Sequence, residues 1–192
     1  MCVAGFVDRH TAYGILVSLL FAFILVTAVR VVTAENRPRM IAYGLAVLWL
    51  AIKSIGVATQ NDFLQVVADP PFIAFCFFCA GMILRRIVTA KEVDFEVVCS
   101  SVSAYLLIAI TWAVSYNLIY ELRPKSFRVA EGGAEIGLDQ FIYFSLTTIT
   151  TLGYGDITPV SAPVGIWATL EAATGIFYMA ILVARLVSVY RA

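Results

Sequence analysis

The chain has 192 residues, of which 61% are hydrophobic and 14% charged, and thirteen basic residues balance thirteen acidic ones. A soluble domain is about 45–50% apolar and about 25% charged, so this composition excludes a soluble globular protein, a disordered tail and a nucleic-acid-binding domain with a basic patch. A bilayer protein remains, and at about 20 residues per spanning helix the length allows roughly five or six helices and no sizeable soluble domain.

The first apolar run, 12–32, is predicted to be a retained spanning helix. It is longer than the apolar region of a cleaved signal peptide, and Arg9 is balanced by Asp8, although Val32-Thr33-Ala34 carries the small residues of a cleavage site. His10, just before it, is read as exposed and without a role. The second run, 40–58, contains Lys53, which either snorkels to the interface or pairs with Asp62 or Asp69. The third, 63–84, is interrupted by Asp69, Pro70 and Pro71; Pro71 either opens that helix or kinks a longer one. Inside it, Cys76 and Cys79 have CxxC spacing but no further ligands nearby, so they are read as small apolar helix residues. Arg85 and Arg86 close the run as interfacial stop signals.

A fourth run, 97–120, leads into the longest connector, 121–139, whose Pro124, Gly132, Gly133 and Gly137 predict an ordered loop or small hairpin outside the membrane. Trp49, Trp112 and Trp167 suit either an interface or a packed helix face. The later helices do not repeat the earlier ones, and ionisable residues are few within the runs, which argues against an inverted-repeat transporter. The runs contain no paired carboxylates, Ser/His pair or metal cluster of the kind an intramembrane hydrolase needs.

The next apolar stretch, 141–149, is too short to span and runs into Thr151-Leu-Gly-Tyr-Gly-Asp156. Asp139 is the expected N-cap of this short helix. Glycine adopts backbone angles that a Cβ forbids, so alternating Gly with larger residues lets successive carbonyls turn the same way. Irregular backbone at membrane depth is tolerated only where it is buried in protein or lines a water-filled cavity, which a re-entrant loop does. Ser161 and Pro163 mark the start of the last run, 163–190.

Thr151-Leu-Gly-Tyr-Gly-Asp156 resembles the potassium-channel signature, with Leu152 where that family most often has Val. The resemblance extends from about residue 97 to the C-terminus. It implies an all-α membrane protein with five transmembrane helices plus a re-entrant pore helix and selectivity filter, assembled as a tetramer because a filter needs four such loops. The implied domains are 1–94, three N-terminal helices, and 95–192, the pore domain of outer helix, loop, pore helix, filter and inner helix. The filter is then Thr151, Leu152, Gly153, Tyr154 and Gly155, with K+ held by the carbonyls of Thr151, Leu152, Gly153 and Tyr154 and the Thr151 hydroxyl. Asp156 stands at the outer mouth. Replacing Gly153 by Ala is expected to put a Cβ into a crowded backbone.

By the same resemblance Gly175 holds the place of the inner-helix glycine, either as a gating hinge or as room for close approach to the pore helix. Ala172, Ile176, Met179, Val183 and Val187 form one stripe at helical spacing and suit a cavity wall and hydrophobic gate. Glu171, the only carboxylate in that run, lies about 140° from Ile176 around the helix. It either braces the filter from behind, with Ser145, Thr147 and Thr148 as donors, or sits solvated in a side crevice.

The implied function is passive, selective K+ conduction, the alternative being a weakly selective or non-selective cation channel on the same fold. No enzymatic activity and no cofactor are expected; K+ is the permeant ion, and the partners are three identical subunits and membrane lipids, with no nucleic acid. No early helix carries Arg or Lys at every third position, so a moving voltage sensor is not expected. Neither is a cytosolic gating domain, since the chain ends at Ala192. The expected location is the plasma membrane, multi-pass, with the N-terminus outside. Eight basic residues (Arg30, Arg37, Arg39, Arg85, Arg86, Lys91, Arg185 and Arg191) then fall inside against four outside.

Overall fold

A computed structural model describes residues 36–59, 61–90, 95–129 and 136–190. The predicted first helix, 12–32, with His10 and the Val32-Thr33-Ala34 stretch, lies outside the described residues. The chain divides into two compact units after Met82.

In the first unit, α1 (Asn36–Ala58) is followed by the start of α2 (Asp62–Thr89). Asn61 caps α2: its Oδ1 accepts from the N–H groups of Phe63 at 3.1 Å and Leu64 at 3.4 Å. Pro70 and Pro71 lie inside α2, so neither opens a helix. A proline pair in an exposed helix would break it, but in spanning helices neighbouring groups re-satisfy the freed carbonyls. Lys53 Nζ lies 3.5 Å from Asp69 Oδ1, choosing the ion pair over snorkelling. Trp49 packs on Phe72, ring centroids 4.8 Å apart. Cys76 and Cys79 are buried thiols, and among the described residues no cluster of three or more His, Cys, Asp or Glu could hold a metal.

The second unit holds α3 (Phe95–Leu122), a 3-10 turn (Pro124–Ser126), β1 (Phe127–Val129), α4 (Leu138–Ile149), β2 (Ile157–Pro159) and α5 (Ala162–Tyr190). Among the described residues, Val66–Thr89, Phe95–Leu122 and Ala162–Arg185 are long and apolar enough to cross a membrane, and Met40–Gly56 is a shorter apolar helix.

The core between α3 and α4 is aromatic. Tyr116 meets Phe144 edge-on at 5.0 Å and Phe127 at 5.7 Å, and Phe127 meets Phe141 at 4.9 Å, the edge-to-face arrangement that ring quadrupoles favour. Phe127 sits in β1, so the connector is anchored from inside. Of the ordered loop or small hairpin expected at 121–139, the described residues hold one strand, β1, which pairs antiparallel not within the connector but with β2, in the register Phe127↔Pro159, Arg128↔Thr158, Val129↔Ile157. Val160 N–H extends the ladder to the Ser126 carbonyl at 2.8 Å.

The N-cap of α4 is Gly137 rather than Asp139. Gln140 Oε1 reaches back to accept from the Gly137 N–H at 3.3 Å, and Asp139 lies in the first turn, where a carboxylate meets the positive end of the helix dipole. The inward face of α5 carries Val164, Glu171, Gly175 and Tyr178, all buried. Trp167 Nε1 donates to Ser115 Oγ at 3.0 Å and Tyr178 Oη to the Ser101 carbonyl at 2.5 Å, tying α5 to α3. With Trp112 and Trp167 rings 4.9 Å apart, the tryptophans serve packed faces. Arg86 pairs with Glu96 at 2.7 Å, and Arg185 donates to the Ala90 carbonyl.

Candidate pore loop

The segment after α4 is sewn to the helix end. The Thr147 carbonyl accepts from Leu152 N–H at 2.8 Å and Gly153 N–H at 3.1 Å, and Thr151 N–H donates to the Thr148 carbonyl at 2.9 Å. Positive φ then recurs at every second residue: Thr151 (60°), Gly153 (53°) and Gly155 (78°). An ordinary strand points successive carbonyls to opposite sides; changing the backbone hand at every second residue turns them toward one side. Thr151 bears a Cβ in this region, a strain of about 1–2 kcal/mol, held by its hydrogen bond to α4. A Cβ built on Gly153 or Gly155 meets nothing within 4 Å in the single chain. The expected crowding is therefore absent there, and the dihedral is what calls for glycine.

All of 151–156 is exposed in the single chain, Leu152 at 56% and Tyr154 at 66%. At the outer end Asp156 Oδ1 accepts from Ile157 N–H at 3.0 Å. The Asp156 carboxylate also accepts a hydrogen bond from the Tyr143 phenol, which it holds above its ordinary range. The Tyr143 ring stacks on Tyr154, centroids 6.3 Å apart and 4° from parallel. β2 follows directly, so the outer end is pinned to β1.

At the inner end the Ile149 carbonyl accepts from Tyr105 Oη at 3.2 Å. A Cβ on Gly175 would fall onto that same carbonyl oxygen and within 2.8 Å of Ile149 Cγ1. Of the two roles weighed for Gly175, close approach is the one this contact requires. Below lies a concavity of about 510 Å³ bordered by Thr150, Thr151, Ile176 and Met179. Ile176, Met179, Val183 and Val187 are exposed along α5 and Ala172 is half-buried, on a face other than that of Glu171.

Glu171 is fully buried within the single chain. Tyr116 Oη donates to its Oε2 at 2.7 Å, and Ser145 Oγ contacts Oε1 while lying 2.7 Å from the Ala109 carbonyl. A solvated crevice is thus excluded. Thr147 and Thr148 do not reach Glu171: their hydroxyls donate to the Phe144 carbonyl at 2.9 and 2.7 Å, as helix-interior hydroxyls commonly do. Thr147 supports the loop through its backbone carbonyl. Tyr116, Tyr105 and Tyr143 escaped the sequence reading. The available signal was weak: a phenol inside an apolar run needs a partner, but its spacing does not say which.

Residues 102–192 match a family model described as ion channel. No curated protein and no solved structure matches the chain.

Proposed function

We propose, from the match of residues 102–192 to the ion channel family model, that the protein is a potassium-selective channel, a homotetramer whose four Thr151–Gly155 segments line one pore. The observation that carries this reading is the alternation of positive φ at Thr151, Gly153 and Gly155, at the C-terminal end of a short helix and ahead of a spanning one. Carbonyls turned to one side replace the hydration shell of a dehydrated cation. The end of α4 adds its partial negative charge below, and Asp156 attracts cations above. Four chains are supported by what one chain leaves uncovered: Leu152, Tyr154 and the Ile176, Met179, Val183, Val187 stripe. That stripe lines the cavity and narrows to the gate.

Purified protein in liposomes is expected to take up rubidium against a potassium gradient and to exclude sodium, with block by barium. Equal rubidium and sodium uptake would instead establish a non-selective cation channel.

The proposed topology has five spans in the plasma membrane, with the loop after α3 outside. A cysteine placed at position 130 is then expected to react with an impermeant thiol reagent in intact cells. One placed at position 88, near the end of α2, reacts only after permeabilisation. The reverse pattern overturns the topology.

A further inference from the structure

The polar group at the centre of the second unit is the contact of Glu171 with Tyr116 and Ser145, and its protons can be counted. Ser145 Oγ has one hydrogen and two close oxygen neighbours, the Ala109 carbonyl at 2.7 Å and Glu171 Oε1. A carbonyl only accepts. If the serine gives its proton to Ala109, the contact with Oε1 is a hydrogen bond only when Glu171 supplies the proton. If the serine gives it to a carboxylate instead, Oγ and the Ala109 oxygen face each other at hydrogen-bond distance with no hydrogen between them. The first arrangement satisfies every atom: Tyr116 donates to Oε2, Glu171 donates to Ser145, and Ser145 donates to Ala109.

Charge points the same way. A buried carboxylate is sustained by a cation or by several donors. The ion pairs found among the described residues, Lys53 with Asp69 and Arg86 with Glu96, do not include Glu171. The titratable groups facing it are phenols of α3, Tyr116 and Tyr105, which bring no positive charge.

We infer that Glu171 is held as the neutral acid and, as a positioning residue, clamps the pore helix α4 to α3 and α5 behind the filter. Glu171 reaches α4 through Ser145, two residues before Thr147, whose carbonyl receives the Leu152 and Gly153 N–H groups. The clamp therefore fixes the helix turn from which the filter is hung.

The consequence for conduction rests on the potassium-filter reading, but the proton does not, and the two are measured separately. In infrared spectra of the purified full-length protein, the parent is expected to show the C=O stretch of a protonated carboxyl that Glu171→Gln lacks. A difference spectrum in which only ionised-carboxylate bands are lost overturns the neutral acid. In liposome flux, Glu171→Gln is expected to behave as the parent, because its amide accepts from Tyr116 and donates to Ser145 as the acid does. Glu171→Ala strands the Tyr116 hydroxyl and frees α4, and selective rubidium uptake is expected to fall about tenfold or more. Tyr116→Phe removes one hydroxyl while keeping the ring, and an intermediate loss is expected. This second variant decides the clamp where Glu171→Ala fails to assemble. Glutamine that fails like alanine, or a Tyr116→Phe that matches the parent, overturns the clamp. A parent protein that does not select potassium overturns the filter reading and leaves the infrared result to stand or fall alone.

Discussion

Gly153→Ala is expected to abolish selective rubidium uptake while leaving the protein folded and assembled. The alanine Cβ would meet no neighbour in the single chain, so the effect comes from the dihedral. At φ 53° an L-residue with a Cβ is disfavoured by about 1–2 kcal/mol. Four copies around one proposed pore bring this to about 4–8 kcal/mol against the conducting backbone, or about a thousandfold or more in its population at 1.36 kcal/mol per tenfold. Relaxing Gly153 to negative φ turns its carbonyl away from the side shared by its neighbours and removes one ring of ligands. Gel filtration separates this outcome from misassembly. Unchanged potassium selectivity in an assembled Gly153→Ala protein would overturn the carbonyl filter.

The second large effect is expected at Gly175, and there its sign decides between two physical roles. A glycine in a helix interior costs about 1 kcal/mol relative to alanine. Were Gly175 only a hinge, Gly175→Ala would raise the melting temperature and alter gating. The contact with Ile149 predicts the opposite, because the new Cβ overlaps the carbonyl at the end of α4. Backbone cannot swing aside as a side chain can. Overpacking of this kind costs about 1–3 kcal/mol per site, and here it pushes α5 away from the point where the filter begins. A lower melting temperature with lost or poorly selective flux is the expected result. A protein more stable than the parent would show that α5 has room at this position.

The helices were legible because a bilayer leaves a plain mark in the chain. Expected runs such as 97–120 and 163–190 lie within α3, Phe95–Leu122, and α5, Ala162–Tyr190, to within a few residues at each end. Charged residues are few inside the runs because placing them in hydrocarbon is costly, with Lys53, Asp69 and Glu171 among the exceptions. For the same reason burial was one of two readings open for Glu171, a solvated crevice being the other. Of its partners, Ser145 was among the expected donors, but Tyr116, 55 positions away, was not, since helical periodicity carries information over only a few turns. The pairing of β1 with β2 left no trace either: strands of three residues are too short to display an alternating pattern. Asp139 misled because a carboxylate is favourable both as a cap and one turn into a helix. The choice between Pro71 opening a helix and lying within a longer one stayed open in the sequence, because the cost of a proline is set by the surroundings of the freed carbonyls, which a local reading does not contain.

The β1–β2 ladder makes the stretch between Val129 and Ile157 a closed cassette whose two ends meet. The short helix α4 and the proposed filter lie between those ends, whose separation the ladder fixes. Length can therefore change inside the cassette without being transmitted to α3 or α5, provided that it changes before Gly137, where α4 is capped. Doubling the length of a loop adds only about 0.6 kcal/mol of closure entropy. The span from Val129 to Gly137 is thus the place where the protein can accept inserted residues. From Gly137 to Ile157 each residue is counted into α4 or the proposed filter backbone, and a single insertion would displace one end of the cassette against the other.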